Sequence, residues 1–183
     1  MATLYATALN ELAGVFDRIN DADVDHAIGM IAKAKRIVVF GAGRERLQIM
    51  GFAMRLYHMG LAAAVTGDMT APPVGKGDLF MVTCGPGEIS TAMALMGVAR
   101  KAGAGVLLLT AQPKGASAAL ADFVLTIPAQ TMASDQGGAV SVLPMGSLFE
   151  IAQAIVFELV ILRLRERTGE TAETMRARHT NLE

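Results

Sequence analysis

Apolar positions at the start of the chain recur at helical spacing: Leu4, Ala8, Leu12, Val15 and Ile19 fall on one face of an amphipathic helix. Asn20 or Asp21 caps a second helix that carries Val24, Ile28 and Ile31 inward. Both stripes read as packing surfaces. The pattern then changes. Five short apolar runs, 36–40, 61–66, 78–83, 105–110 and 123–127, lack alternation, which predicts strands covered on both faces. Helical segments over 45–59, 88–102 and 116–121 separate most of them, while the 66–78 link, with Pro72-Pro73, reads as a loop. Such alternation predicts an α/β fold with a doubly wound, mostly parallel sheet. Ligands of such sheets sit outside the carboxyl ends of the strands, near a topological switch point.

Beyond the last strand, 129–143 is polar and contains glycine, so it reads as a loop. Pro144 then opens a long helix to about Thr168, Gly169 closes it, and Thr171 caps a short helix through Arg178. No repeat, low-complexity segment or linker divides the 183 residues. We expect one domain, with N-terminal helices over about 3–34, an α/β core over about 36–128 and C-terminal helices over about 144–179.

Composition sharpens this picture in one respect. Hydrophobic residues make up 52% of the chain, aromatic ones only 5%, and there are 12 methionines. That surplus implies buried strands together with an oligomer interface. The 148–164 stretch is apolar nearly all round and cannot comfortably face water, so a dimer at least, and a tetramer foremost, is expected. Glu150, Gln153 and Glu158 interrupt the same stretch, which argues against a membrane span. A net charge of −1 gives no reason to expect nucleic acid as a partner. The single cysteine excludes an internal disulfide and suits a reducing cytoplasm, and the first 14 residues have no secretory pattern. Three scattered histidines and one cysteine have no metal-ligand spacing, so no metal is expected.

Four places could carry chemistry. Gly41-Ala42-Gly43-Arg44 ends the first strand and opens a helix, but Arg46 stands where a dinucleotide fingerprint needs its third glycine. This is either a structural turn or a place where Arg44 or Arg46 faces an anion. A second turn, Cys84-Gly85-Pro86-Gly87-Glu88, leads into Ser90 and Thr91 at a helix start, a common way to gather N–H groups on phosphate. Pro86 removes one such donor. Cys84 reads as a buried strand-end thiol more readily than as a nucleophile. Glu150 lies in the first turns of the apolar helix, where partial burial would raise its pKa and make it a usable base; the other reading is a dipole-stabilising acid, for which it lies late from Pro144. His179 stands near the chain end, a position where histidines are ordinarily solvated, and His26 and His58 read as surface or packing residues.

Taken together, the chain resembles the sugar isomerase (SIS) domain family and, within it, the 6-phospho-3-hexuloisomerases. The resemblance lies in Gly41-Ala42-Gly43-Arg44, Phe52-Ala53-Met54-Arg55-Leu56 with His58 and Gly60, Gly77-Asp78-Leu79, Gly85 and Gly87-Glu88, then Pro144-Met145-Gly146-Ser147-Leu148-Phe149-Glu150 and Arg178-His179-Thr180-Asn181-Leu182-Glu183. The last two strings are the most specific. The resemblance implies a three-layer αβα, flavodoxin-like fold around a five-stranded parallel sheet, and a homotetramer with active sites at subunit contacts. It implies isomerisation of a 3-hexulose 6-phosphate to fructose 6-phosphate through an enediol, without cofactor or metal. Glu150 matches the family's candidate base; His179 matches a second candidate, assisting proton movement between the oxygens from a neighbouring subunit. Gly43, Arg44, Cys84, Gly85, Gly87, Glu88, Ser90 and Thr91 form the expected substrate-binding set.

The departures gather at the phosphate. The family usually has Ser-Gly-Ser-Gly-Glu-Thr where this chain has Cys84-Gly85-Pro86-Gly87-Glu88-Ile89, and Glu45 replaces a serine after the first-strand arginine. A carboxylate beside a phosphate is unfavourable unless it pairs with a cation or turns away. Two further readings therefore stay open: an isomerase of another acidic or unphosphorylated sugar, and a non-catalytic sugar-phosphate binding protein.

Overall fold

The computed structural model describes residues 3–136, 138 and 141–182; Glu183 of the C-terminal string and residues 137, 139 and 140 of the expected loop lie outside them. The chain opens with α1 (Leu4–Phe16), whose Thr3 cap accepts from the Ala6 N–H at 3.2 Å. In α2 (Asp21–Lys33), Asn20 is the cap and accepts from the Ala22 N–H at 2.9 Å. The α/β core follows as β1 (Ile37–Phe40), α3 (Gly43–His58), β2 (Ala63–Val65), β3 (Leu79–Thr83), α4 (Ser90–Lys101), β4 (Gly105–Thr110), a 3₁₀ turn (Ala116–Leu120) and β5 (Phe123–Thr126). The 66–78 link contains no helix, as expected. Two C-terminal helices, α5 (Ser147–Thr168) and α6 (Ala172–Ala177), complete the fold.

All five strands pair in parallel, in the order β2-β1-β3-β4-β5. Side-chain parity divides the core between two layers. Ile37 and Val39 of β1 and Met81 of β3 pack with α1, α2, α3 and α5, where Phe52 and Phe157 stack at 4.3 Å between ring centres. Val38, Phe40 and Val82 face the opposite way, toward Ala92 and Met96 of α4. Each fully buried Ile, Leu or Phe here contributes about 1.5–3 kcal/mol from burial. Among the described residues, no helix is long and apolar enough to cross a membrane.

One boundary differs in a way that matters. The long helix begins at Ser147, not Pro144, because Met145 (φ 53°) and Gly146 (φ 83°) turn the chain through left-handed conformations first. Glycine takes such a φ at little cost, and here it is the helix cap. Glu150 is thereby drawn into the first turn, with its N–H on the Gly146 carbonyl at 3.1 Å. At the other end, Gly169 closes the helix in a left-handed conformation, as expected.

Candidate active site

The chain leaves β1 for β2 on one side and returns to β3 on the other, so the carboxyl ends of β1 and β3 flank the switch point. A cleft of about 480 Å³ opens there. Its walls are the start of α3 (Gly43, Arg44, Glu45), the loop after β3 (Pro86, Ile89), the segment before α5 (Thr131, Met132, Met145, Gly146) and α5 itself (Phe149, Glu150).

Arg44 holds the start of α5. Its Nε lies 3.0 Å from Glu150 Oε2, and its two terminal nitrogens donate to Ser147 Oγ at 3.0 Å and the Met145 carbonyl at 2.8 Å. Glu150 keeps 15% of its side chain exposed and Arg44 keeps 50%. An ion pair this open adds under about 1 kcal/mol to stability, so its main effect is on orientation and charge. Burial pushes the Glu150 carboxyl above the usual glutamate range, and the neighbouring guanidinium only partly offsets this. A carboxylate with a raised pKa in an open cleft is suited to take a proton from a carbon acid near neutral pH.

Glu45, expected to trouble the phosphate unless it turned away, does turn inward. It is 7% exposed, with its carboxyl group on the Thr83 hydroxyl and on the Gly85 N–H, which donates to both oxygens at 3.1 and 3.0 Å. Gln153, fully buried on α5, closes the cluster from below: its Oε1 stands 3.3 Å from the Thr83 hydroxyl. A Cβ on Gly85 would lie 2.8 Å from the Phe149 ring and 2.9 Å from Glu45 Oε1, so any larger residue here has to displace the buried Phe149 ring and the Glu45 carboxyl.

The expected substrate-binding residues are thus dispersed. Gly43 (φ 56°) and Arg44 line the cleft. Gly85 is buried behind two of the cleft walls, against Glu45 and Phe149. Gly87 is buried against Gln112, and its carbonyl accepts from Ser117 Oγ at 2.7 Å. The Cys84 side chain is fully buried on the opposite face of the sheet, packed in the α4 layer, where burial pushes its thiol pKa up. Glu88, Ser90 and Thr91 are exposed where α4 begins, outside the cleft walls. Arg46 is committed to the Thr66 carbonyl at 3.0 Å, leaving Arg44 as the arginine of the cleft.

His179 lies elsewhere. It stacks on the buried His58 ring at 5.2 Å, in a second crevice of about 370 Å³ that Arg55, Arg165 and Arg176 also line. Arg178 fastens this corner, donating to the His58 carbonyl at 2.9 Å and pairing with both Glu170 oxygens at 2.8 and 3.0 Å. His58 ends α3 and Gly43 begins it, so the full length of that helix, about 22 Å, separates the two crevices. Among the described residues, no three His, Cys, Asp or Glu side chains gather where they could hold a metal.

Sequence reasoning missed Glu45 as a wall of the cleft, although a signal existed. Glu45, Ile49, Phe52 and Leu56 share one face of α3, and the last three are its buried stripe. A carboxylate in phase with that stripe has to point inward. Thr131 and Met132 carry no comparable signal.

Comparisons with known proteins agree with this architecture. A family model described as the SIS domain matches residues 30–154. The 3-hexulose-6-phosphate isomerase of Bacillus subtilis is 34% identical over 97% of this chain and 96% of its own length. That of Mycobacterium gastri is 37% identical over 95% of this chain and 87% of its own. A crystal structure of a hypothetical protein from Methanococcus jannaschii, for which a molecular function of 3-hexulose-6-phosphate isomerase was inferred, superposes with a TM-score of 0.84. It is 26% identical and covers 97% of both chains. A parallel sheet in this order, matched over most of its length by one family model and by relatives above 30% identity, places the chain in the SIS domain family.

Proposed function

We propose that this protein is a 3-hexulose-6-phosphate isomerase with Glu150 as its base. The observation that carries the reading is the Glu150 carboxyl at the switch-point cleft, 3.0 Å from Arg44. Glu150 takes the proton from C2 of the 3-hexulose, the C2–C3 enediolate forms, and the proton returns to C3 as the carbonyl settles at C2. Arg44 is the cation within reach of the developing oxyanion, a contribution that oriented donors make most strongly in a closed site. The hydroxyl proton that must move between O2 and O3 needs a second group. His179 fills that role from another copy of the chain, since its own α3 holds it about a helix length from Glu150.

The sugar's phosphate binds at the start of α4, which has no side-chain cap and offers the Ser90 and Thr91 hydroxyls with the helix N–H groups. A homotetramer, and a dimer at least, is supported by apolar residues left uncovered in the single chain. Ile151, Ile155, Leu159 and Leu162 of α5 are between 37% and 48% exposed, and Leu47, Met50, Met54 and Tyr57 of α3 are exposed as well. The cytoplasm suits a phosphorylated metabolite and a chain with one unpaired cysteine.

The test is conversion of 3-hexulose 6-phosphate to fructose 6-phosphate by the purified protein, with Glu150→Gln as control. Turnover by the natural chain and a ~10²–10⁴-fold loss in the variant are expected, with the melting temperature retained. Unchanged turnover in Glu150→Gln removes Glu150 from the mechanism. The raised carboxyl pKa adds a signature: because the base works only when ionised, activity falls with acid at a higher pH than an ordinary glutamate would give.

A further inference from the structure

Several amides of the loop after β3 are withdrawn from an anion. The Cys84 N–H is committed to the Leu109 carbonyl and the Gly87 N–H to the Cys84 carbonyl, each at 2.9 Å, and Pro86 has none. The Gly85 N–H is taken by Glu45 at 3.1 and 3.0 Å. Glu45 is 7% exposed yet lines the same cleft as Glu150 and Arg44. We infer that Glu45 is the residue that sets this site's affinity for the substrate's phosphate: its carboxyl group takes the Gly85 amide of the loop, and the phosphate, held at the start of α4, binds across the same cleft from its charge. The inference deepens the isomerase reading and rests on it for the identity of the ligand.

The hydrogen bonds also constrain the protonation of Glu45. The Thr83 hydroxyl faces both the Glu45 carboxyl and Gln153 Oε1, but it has one hydrogen to give. Both contacts are satisfied when Glu45 is protonated and donates to Thr83 Oγ1, freeing the Thr83 hydrogen for Gln153. The group facing Glu45 that carries charge is Glu150 from α5; the Cys84 thiol feels the Glu45 charge from the other face of the sheet, and Arg44 on its own helix is turned to Glu150. Burial is the largest influence on Glu45 and raises its pKa; the Thr83 and Gly85 hydrogen bonds oppose this, and Glu150 adds to it. The sign follows. In acid, Glu45 is neutral and does not repel phosphate; as pH rises through its raised pKa it ionises, and phosphate affinity falls.

The experiment is calorimetric binding of inorganic phosphate and of fructose 6-phosphate to the natural assembly, Glu45→Gln and Glu45→Ser, from about pH 5.5 to about pH 8. Glutamine keeps an acceptor for the Gly85 N–H, so Glu45→Gln carries the test even if the serine variant misfolds. The ligand's own ionisation is common to all three proteins, so the difference between their curves isolates position 45. Glu45→Gln is expected to bind both ligands about tenfold more tightly at the alkaline end, with its advantage over the natural protein narrowing toward acid. Glu45→Ser, which frees the amide, is expected to bind tighter still. Equal or weaker binding by folded Glu45→Gln at every pH overturns the inference, as does undetectable phosphate binding by all three. Turnover measured alongside separates the two claims. Normal isomerisation with equal phosphate affinities sinks only the role of Glu45, whereas a gain in phosphate affinity without isomerisation by any of the three sinks the isomerase reading and leaves that role standing.

Discussion

The two ends of α3 offer opposite chemistry. At its start, Arg44 and Glu45 join Glu150 in a cleft with two carboxyl groups and one guanidinium. At its finish, His58 stacks with His179 in a crevice whose described lining residues include three arginines and no acid. Among the described lining residues, the first end has a base near a cation but no imidazole, and the second has imidazoles but no carboxylate. A rigid helix about 22 Å long holds the halves apart, so a reaction using both needs the start of one α3 to meet the finish of another. Under the proposed mechanism, sharing of the site follows from helix length.

Mixing variants tests that claim most severely. Glu150→Gln and His179→Gln are each expected to lose ~10²-fold or more in activity alone. Unfolded together and reassembled, they are expected to regain activity, because about a quarter of contacts then pair an intact Glu150 with an intact His179. No recovery breaks the comparison and returns the chemistry to a single chain. Arg44→Ala comes next: kcat/KM is expected to fall ~10²-fold. Loss of the cation also moves the acid limb of the pH profile upward, since Arg44 is what holds the Glu150 pKa down. A limb that stays in place would mean the pair has no electrostatic hold on the base. The smallest effect is expected at the far end, where Arg178→Ala unfastens the His179 corner. Melting should fall slightly while kcat falls more, and proportionate falls in both would make Arg178 a structural residue only.

Much of this was legible beforehand. The five strand runs, the looped 66–78 link and the caps at Asn20 and Thr171 all follow from local patterns, which buried parallel strands and short polar caps make unusually clear. What local patterns leave open is anything set by side-chain direction or by distant contact. Pro144 looked like a helix start, but two left-handed residues after it delay the helix and bring Glu150 into its first turn. Cys84 follows β3 directly, yet continued strand parity sends its side chain to the far face of the sheet, and an apolar run without alternation hides parity. His58 and His179 meet across 121 positions of sequence, a contact that no local pattern records.

Gly85 has a consequence for anyone who would redesign this cleft. Its missing side chain is the space into which the Phe149 ring and the Glu45 carboxyl close, so positions 45, 85 and 149 form an interlocking set contributed by three separate elements. Variation at 85 alone yields collisions. A library has to shorten position 45 or 149 first, and the order in which such changes accumulate is as constrained as their identity.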